Sequence, residues 1–418
     1  MKSQIGEIMA STTPKYNPKL VGLGLLAGAA VGMAWANTKQ KQYAKQGSPG
    51  MLDWERVRRT ARQIIKEEAP AEGWHEQWEE YYRGQVAQCY PLITQEMGKD
   101  LPVPVDQIQA FSRTEWVDAN IANFKQLFDP IEALYKRVQG PGNLGTMLMG
   151  DVSQNVMSNQ LGILMGYLAR RVLGQYDLSL LGKEPVTAGR LYFVEPNISA
   201  VQNQLGLDPD DFRLWIALHE TTHAYEFEAY PWVREYFNSL LEQYISYLSD
   251  DLVEYGTSMG GLRSLVDRAR AGMKESDSWI EAVMSPEQRV LFSKLQALMS
   301  VIEGYSNYIM NAVGERLLPS YEMIKIRIEE RAARRGTAEK LFIRITGLAL
   351  KMEQYRLGES FFNAVVAEHG VAVANRVWEG PEMLPTLEEL HKPQEWVKRV
   401  MQEEASVPTT NSELIDVL

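Results

Sequence analysis

The spacing of apolar residues predicts a protein built mainly from helices. From Trp54 onward, apolar side chains recur every three or four residues through most of the chain, which is the period of an amphipathic α-helix. Residues 190–194, with the sequence RLYFV, form the clearest β-type run, and they stop shortly before Pro196 and Asn197. We therefore expect an α+β chain that is mainly α and has one small sheet.

The N-terminal part, residues 1–50, departs from this pattern. Residues 20–36, which begin at Leu20 and end at Ala36, carry no charged side chain, and lysines lie on both sides of them. A run of 17 residues is at the short limit for a helix that spans a membrane. A membrane anchor, an apolar helix packed on the protein itself and a cleaved signal segment are three alternatives, so the chain could be membrane-anchored or cytoplasmic.

The remaining sequence predicts one large domain and a tail. A polar linker over residues 37–50 ends in the sequence GSPG, which favours a loop. Residues 51–402 keep the helical pattern without a repeat of fixed period, and they are enough to bury a substantial core. Residues 403–418 are polar, and we expect them to form a C-terminal tail.

The charge balance and the cysteine content exclude several kinds of site. The chain has 43 basic and 54 acidic residues and a net charge of −11, which opposes a general nucleic-acid-binding surface. Its single cysteine, Cys89, excludes an internal disulfide and any cysteine-cluster metal site. The sequence also has no glycine-rich phosphate loop and no serine nucleophile elbow.

The chemistry-bearing motif is the sequence HETTH at residues 219–223. On a helix, positions i and i+4 lie on one face, so His219 and His223 can bind a single metal ion while Glu220 lies beside it. The alternative is a pair of buried, hydrogen-bonded histidines. Burying two imidazoles and a carboxylate on one apolar stripe is costly without a metal or a complete hydrogen-bond network, which favours the metal.

The residues before the motif predict that it lies on a helix and faces inward. Asp208 is a good N-cap and Pro209 suits the first helical position. Phe212, Trp215 and Ile216 then form an apolar stripe that the two histidines continue.

A zinc site of the catalytic type needs a third protein ligand. The position six residues past His223 is Ala229, so a third histidine at that spacing is absent. Glu303 is the best candidate, on a helix that Ser285 begins with a capping box, although from spacing alone it could equally be a solvated glutamate. Asn307 shares a face with Glu303 and could accept the ring N–H of a ligating histidine.

Taken together, several separated motifs resemble a known family, the zincin-like metallopeptidases associated by name with coenzyme F420 biosynthesis. This resemblance implies a zincin-like core around the HExxH helix, with extra helices, and Zn2+ as the cofactor. Residues 1–50 lie outside it. The matching segments are residues 194–197, 211–215, 219–232, 303–304, 313–314, 351–352, 354–355, 358, 375–379 and 384–386.

The resemblance also implies the role of Glu303. The family pattern after the third ligand is similar to Glu-Gly-His-Ala-Asp, and this chain has the sequence EGYSN at residues 303–307. Glu303 matches and is carried over as the third ligand. Tyr305 replaces the histidine and Asn307 the aspartate, so the resemblance implies metal binding more firmly than catalysis.

The predicted function is that of a zinc-dependent metallohydrolase, with Glu220 as the general base that takes a proton from water. A donor must also stabilise the oxyanion of the transition state, and Tyr305 and Tyr355 are the catalytic candidates. Tyr225 and Tyr230, which follow the motif, are weaker ones.

Three classes of function remain open at this point. A metallopeptidase acting on a peptide or protein is favoured. Residues 190–194 could lie along the cleft and pair with an extended substrate, as edge strands do, or they could form a plain core strand. A hydrolase of a non-peptide substrate is the second class. The third is a metal-stabilised scaffold without catalysis, which the changes at Tyr305 and Asn307 favour.

Overall fold

The computed structural model describes residues 50–102, 105–138, 144–177, 190–255, 284–333 and 348–406. These residues are mainly helical and include one small sheet, as the sequence predicts. The elements, in chain order, are α1 (Trp54–Ile65), α2 (Trp74–Met97), β1 (Gln107–Ala110), α3 (Arg113–Val138), α4 (Leu144–Ala169), β2 (Gly174–Asp177), β3 (Arg190–Phe193), α5 (Glu195–Leu205), α6 (Pro209–Glu228), α7 (Trp232–Tyr255), α8 (Pro286–Leu317), α9 (Tyr321–Ala333), α10 (Leu348–His369), α11 (Val371–Ala374), two 3-10 turns (Asn375–Trp378 and Pro381–Met383), α12 (Leu387–His391) and α13 (Pro393–Ser406).

The apolar run of residues 20–36 lies outside the described residues, as does the chain beyond residue 406. Within the described ranges, no helix has both the length and the hydropathy that crossing a membrane requires. The division into residues 1–50, 51–402 and 403–418 stays a prediction.

The three strands form a mixed sheet in the order β1-β3-β2. Strand β3 pairs in parallel with β1, where Ile108 lies opposite Leu191, and antiparallel with β2, where Gln175 lies opposite Tyr192. The strand predicted at residues 190–194 is therefore confirmed, and of its two interpretations the structure supports the core strand and not the edge strand. Strand β3 is paired on both sides, and β1 and β2 form the two edges of the sheet.

The main core surrounds α6 and α8. Helix α6 contacts α2, α8 and strand β2, and the largest side chains buried in this core are aromatic. A smaller apolar cluster joins α1, α3 and α4 and includes Val57, Trp116 and Met165. Because α6 has neighbours on several sides, most of its side chains are buried, including Leu218 and Thr222.

Both helices that carry the predicted site begin where the sequence predicts. The Asp208 side chain accepts hydrogen bonds from the backbone N–H groups of Asp210 and Asp211, at 3.0 Å each, and caps α6. Ser285 and Gln288 form the expected capping box of α8.

Helix α8 crosses α10 at very short range. A Cβ atom added to Gly358 of α10 would lie 1.8 Å from the backbone oxygen of Ser300, and one added to Gly304 would lie 2.3 Å from the backbone carbon of Gly358. Only glycine allows two helix backbones to approach this closely. The crossing lies next to Glu303 and therefore fixes the part of α8 that carries this side chain.

Candidate metal centre

Helix α6 places the two histidines of the motif side by side. The Nε2 atoms of His219 and His223 are 3.2 Å apart, and the two rings are nearly perpendicular, at 78°. Two nitrogen ligands of a tetrahedral zinc ion lie about 3.3–3.4 Å apart, because each Zn–N bond is about 2.0–2.1 Å long. The observed spacing therefore suits a shared metal ion.

Helix α8 brings Glu303 to the same point. Its Oε2 atom lies 3.8 Å from Nε2 of His223, and one donor atom from each of the three side chains lies within 4.8 Å of the other two. Glu303 is buried, with 3% of its surface exposed. The structure thus brings together the three residues that the sequence nominates as ligands, and nitrogen and carboxylate donors in this number are a set that zinc accepts.

Both rings are held through their second nitrogen. Nδ1 of His223 lies 2.7 Å from Oε2 of Glu226, and Nδ1 of His219 lies 2.9 Å from Oγ of Ser306. A partner at Nδ1 fixes the ring and leaves the lone pair of Nε2 for a metal. The role expected of Asn307 at these rings is therefore wrong, because Ser306 and Glu226 hold the positions that it was expected to fill.

The electrostatics of the cluster favour a bound cation. Glu226 is fully buried, and burial raises the pKa of its carboxyl well above the ordinary value near 4.5, with a further increase from the charge of Glu303. Two buried carboxylates and two imidazoles at one point are costly without positive charge. A divalent cation would offset this cost. The residues present therefore fit the zinc ion that the family resemblance implies.

A cavity of about 240 Å³ lies beside the cluster. Glu220, whose surface is 7% exposed, lines it together with the three candidate ligands. The rest of the wall combines the edge strand β2 with apolar side chains from α6 and α8. These further residues are Gly174, Gln175, Tyr176, Phe227, Met299 and Ile302.

Tyr305 does not lie in this cavity, so its expected catalytic role is wrong. Its side chain is completely buried, and its hydroxyl donates a hydrogen bond of 2.7 Å to Oδ1 of Asn375. The ring packs edge-on against Phe362 and Trp378. Burial raises the pKa of the Tyr305 hydroxyl well above its ordinary value, so the residue is a neutral part of the core.

The other tyrosine candidates also lie away from the cluster or outside the described side chains. The Tyr225 hydroxyl is 2.7 Å from Oγ1 of Thr94, and the Tyr230 ring stacks on Trp378. Tyr355 belongs to α10, but its side chain lies outside the described set, so its role stays a prediction.

Sequence reasoning missed Glu226, Ser306 and the residues of β2, α6 and α8 that complete the cavity wall, and a local signal was available for Glu226. Glu226 lies three positions after His223, on the same face of the helix, which is the spacing of a side-chain pair. Ser306, Gly174 and Tyr176 carry no comparable local signal, because the packing of α8 and the edge strand against α6 brings them to the site.

Residues 52–397 match the family model described as zincin-like metallopeptidase. The chain belongs to the zincin-like metallopeptidase family. It is also similar to a crystal structure from Chloroflexus aurantiacus, described as a candidate hydrolase with a novel fold, at 44% identity and a TM-score of 0.62. That match covers 84% of this chain and 99% of the Chloroflexus chain. None of the curated proteins matches.

These matches confirm the predicted family and support hydrolase chemistry of the zincin type. The association with coenzyme F420 is not part of either match and stays a prediction.

Proposed function

We propose that the protein is a zinc-dependent metallopeptidase that cleaves an amide bond of a peptide or protein. The observation that carries this proposal is the convergence of His219, His223 and Glu303 at the wall of a cavity that Glu220 also lines. The motif supplies two of the ligands and the base, and a distant helix supplies the third ligand.

His219, His223 and Glu303 would hold the zinc ion, and three protein ligands would leave it accessible to solvent or substrate, as catalytic zinc sites require. Zinc, when bound, supplies a Lewis acid that polarises a carbonyl group and lowers the pKa of water towards about 7. His219 and His223 bind through Nε2, with their rings held by Ser306 and Glu226.

Glu220 is the general base. Its carboxylate accepts a proton from the attacking water and delivers it to the leaving amine, which is the transfer that amide cleavage requires. Its buried position at the cavity wall limits competing solvent. Tyr355 remains the proposed donor to the oxyanion.

The size and the wall of the cavity favour a peptide over a compact small molecule. A volume of about 240 Å³ is below the roughly 300–1,000 Å³ of typical small-ligand pockets. It holds one side chain while the rest of a substrate stays outside. Among the described residues β2 pairs only with β3, so its second edge can pair with an extended chain, a role that β3 cannot have.

The decisive experiment combines metal analysis with a peptide library. We expect about one zinc per chain, cleavage of at least one peptide set, and loss of cleavage with retention of zinc in Glu220→Gln. Glu235→Gln is the matched control, because Glu235 is an exposed glutamate of the next helix.

The two alternatives give different results in the same experiment. Zinc without turnover of any amide would indicate a metal-stabilised scaffold. Turnover of small amides or esters with peptides left intact would indicate a non-peptide hydrolase. A chain that binds no divalent metal would refute all three interpretations.

A further inference from the structure

The first residue of the edge strand touches the residue proposed as the base. A Cβ atom added to Gly174 would lie 2.6 Å from Cγ and 2.6 Å from Oε1 of Glu220, and 2.7 Å from its Cδ. All three of the nearest atoms belong to this one side chain. The Glu220 carboxylate therefore packs directly on the bare backbone of Gly174.

Backbone conformation does not explain the glycine at this position. Gly174 is absent from the described glycines with positive φ, so an L-residue could adopt its backbone conformation. The local restriction comes from the side chain of Glu220. A Cβ atom at this position would collide first with the Glu220 side chain, because the three heavy atoms nearest to it all belong to that residue.

The strand is held in place by sheet pairing and by the packing of aromatic rings. Gly174 pairs with Phe193 in the sheet, and the Phe193 ring stacks on Tyr82 at 4.0 Å between ring centroids. Two residues along β2, the Tyr176 hydroxyl donates to Glu228, and its ring stacks on Phe227. A side chain added to Gly174 would therefore displace the flexible end of Glu220 and leave the strand in place.

We propose that Gly174 is a positioning residue for Glu220, an inference that rests on the proposed function. The bare backbone at the start of β2 sets where the carboxylate lies in the cavity, beside the strand edge available to a substrate. The metal ligands do not depend on this contact, because Ser306 and Glu226 hold the two imidazoles. Moving Glu220 should thus change proton transfer and leave metal binding intact.

The test is Gly174→Ala, with Gly84→Ala as the matched control. An added Cβ at Gly84 meets nothing within 4 Å, and this residue is not among those that line the cavity. We expect kcat on the cleaved peptide to fall by about 100-fold in Gly174→Ala, since a misplacement of about 1 Å can have that effect. KM, zinc content and Tm should stay close to the parent values. In the control, kcat, KM and zinc content should also stay at the parent values, while Tm should be equal or higher, because alanine is a better helix former than glycine.

A double variant separates positioning from a general disturbance. Glu220→Asp shortens the side chain by one methylene and makes room for a Cβ atom at position 174. The fall in kcat in the double variant should therefore be much smaller than the product of the falls in the two single variants. Multiplicative losses, or a parent-like kcat in Gly174→Ala, would overturn the proposal.

A binding measurement and a structure distinguish this failure from failure of the proposed function. Acetohydroxamate binding to the zinc-loaded protein should weaken by about 10- to 100-fold in both Glu220→Gln and Gly174→Ala, since each variant loses one hydrogen bond to a charged group. If acetohydroxamate binding weakens only in Glu220→Gln, the proposed role of Gly174 is wrong, while the role of Glu220 as the general base is supported. If no peptide is cleaved, crystal structures still decide, because the Glu220 carboxylate must move in Gly174→Ala and an unmoved carboxylate refutes the proposal.

Discussion

Replacing Glu226 should weaken zinc binding without weakening the metal-free fold. Its carboxylate is completely buried, and its Oε2 atom lies 2.7 Å from Nδ1 of His223. Partners of this kind typically change metal affinity by about 10–100-fold when they are removed. This range corresponds to about 1.4–2.8 kcal/mol of binding free energy.

The loss of zinc affinity should depend on which properties of the Glu226 side chain each replacement keeps. Glu226→Gln preserves the shape and an acceptor oxygen but removes the charge, so we expect a loss near the tenfold end. Glu226→Ala removes the contact altogether and should approach about 100-fold. Ser306→Ala is the matched change at His219, and a neutral hydrogen bond of about 0.5–1.5 kcal/mol predicts only a 2- to 10-fold loss.

The stability of the metal-free protein should change in the opposite direction. Burial and the nearby Glu303 raise the pKa of Glu226, so its charged form is penalised in the folded state. Removing the charge relieves this penalty. Glu226→Gln without metal should therefore have a Tm equal to or above that of the parent, while the increase in Tm on adding zinc becomes smaller.

The pH dependence has a defined sign. Because the pKa of Glu226 is higher in the folded than in the unfolded chain, the folded state binds more protons in the interval above about 4.5. The contribution of this group to stability is complete below the unfolded pKa and is lost as the pH rises through the folded pKa. Glu226→Gln should remove that part of the pH dependence.

The assay needs two readings on each variant. Competition with a chromophoric chelator gives the zinc affinity, and thermal unfolding with and without zinc gives the two stabilities. Zinc affinity within twofold of the parent in Glu226→Ala would refute the role of this carboxylate. A metal-free Glu226→Gln protein with a clearly lower Tm would show that the group stabilises the fold by itself.

Three further predictions concern packing and reactivity. Gly358→Ala should lower the unfolding free energy by about 1–3 kcal/mol in urea titrations, because its Cβ would meet the backbone of Ser300; an unchanged midpoint would contradict the close crossing. Tyr305→Phe should lose about 1–2 kcal/mol from the hydrogen bond to Asn375 and keep the parent kcat, and a large fall in kcat would restore its catalytic role. Burial raises the pKa of the Cys89 thiol, so this thiol should react with Ellman's reagent only after unfolding, and rapid labelling of the native chain would contradict that burial.

The features that the sequence predicts correctly are those with local causes. Asp208 and Ser285 mark the starts of α6 and α8 because capping depends on a few adjacent backbone groups. The shared face of His219 and His223 follows from the helical period alone. Glu303 was the best candidate for the third ligand from its helix alone, but spacing could not distinguish it from a solvated glutamate, and the family resemblance strengthened the assignment.

The features that the sequence does not predict depend on how elements cross. Relative to Glu303, both Ser306 and Asn307 project within about 60° on the helix, at 100° per residue. Either one could face α6, and the packing of the two helices places Ser306 against His219. Tyr305 likewise lies in the core, where it hydrogen-bonds to Asn375. No local sequence pattern reveals this contact, because the two residues are 70 positions apart.

The edge strand shows the same limit for the sheet. Strand β2 has only four residues, Gly174–Asp177, and its sequence GQYD has no hydrophobic alternation. Its pairing with β3 and its contact with α6 define it, and both are long-range. The sequence correctly predicts a small sheet and the central strand, while the strand that lines the cavity is recognisable only in the folded protein.

The close crossing of α8 and α10 connects helix packing to the proposed metal site. Glu303 is followed directly by Gly304, and the backbone of Gly304 meets that of Gly358. A shift of α10 away from α8 would therefore move the same turn of α8 that carries Glu303 and, one turn along, Ser306. Glu303 lies 3.8 Å from His223, and Ser306 lies 2.9 Å from His219. Such a shift would therefore move the candidate ligand Glu303 directly and would affect His219 through its partner Ser306. A side chain added at either glycine should therefore disturb the geometry of the site as well as the packing of the helix pair.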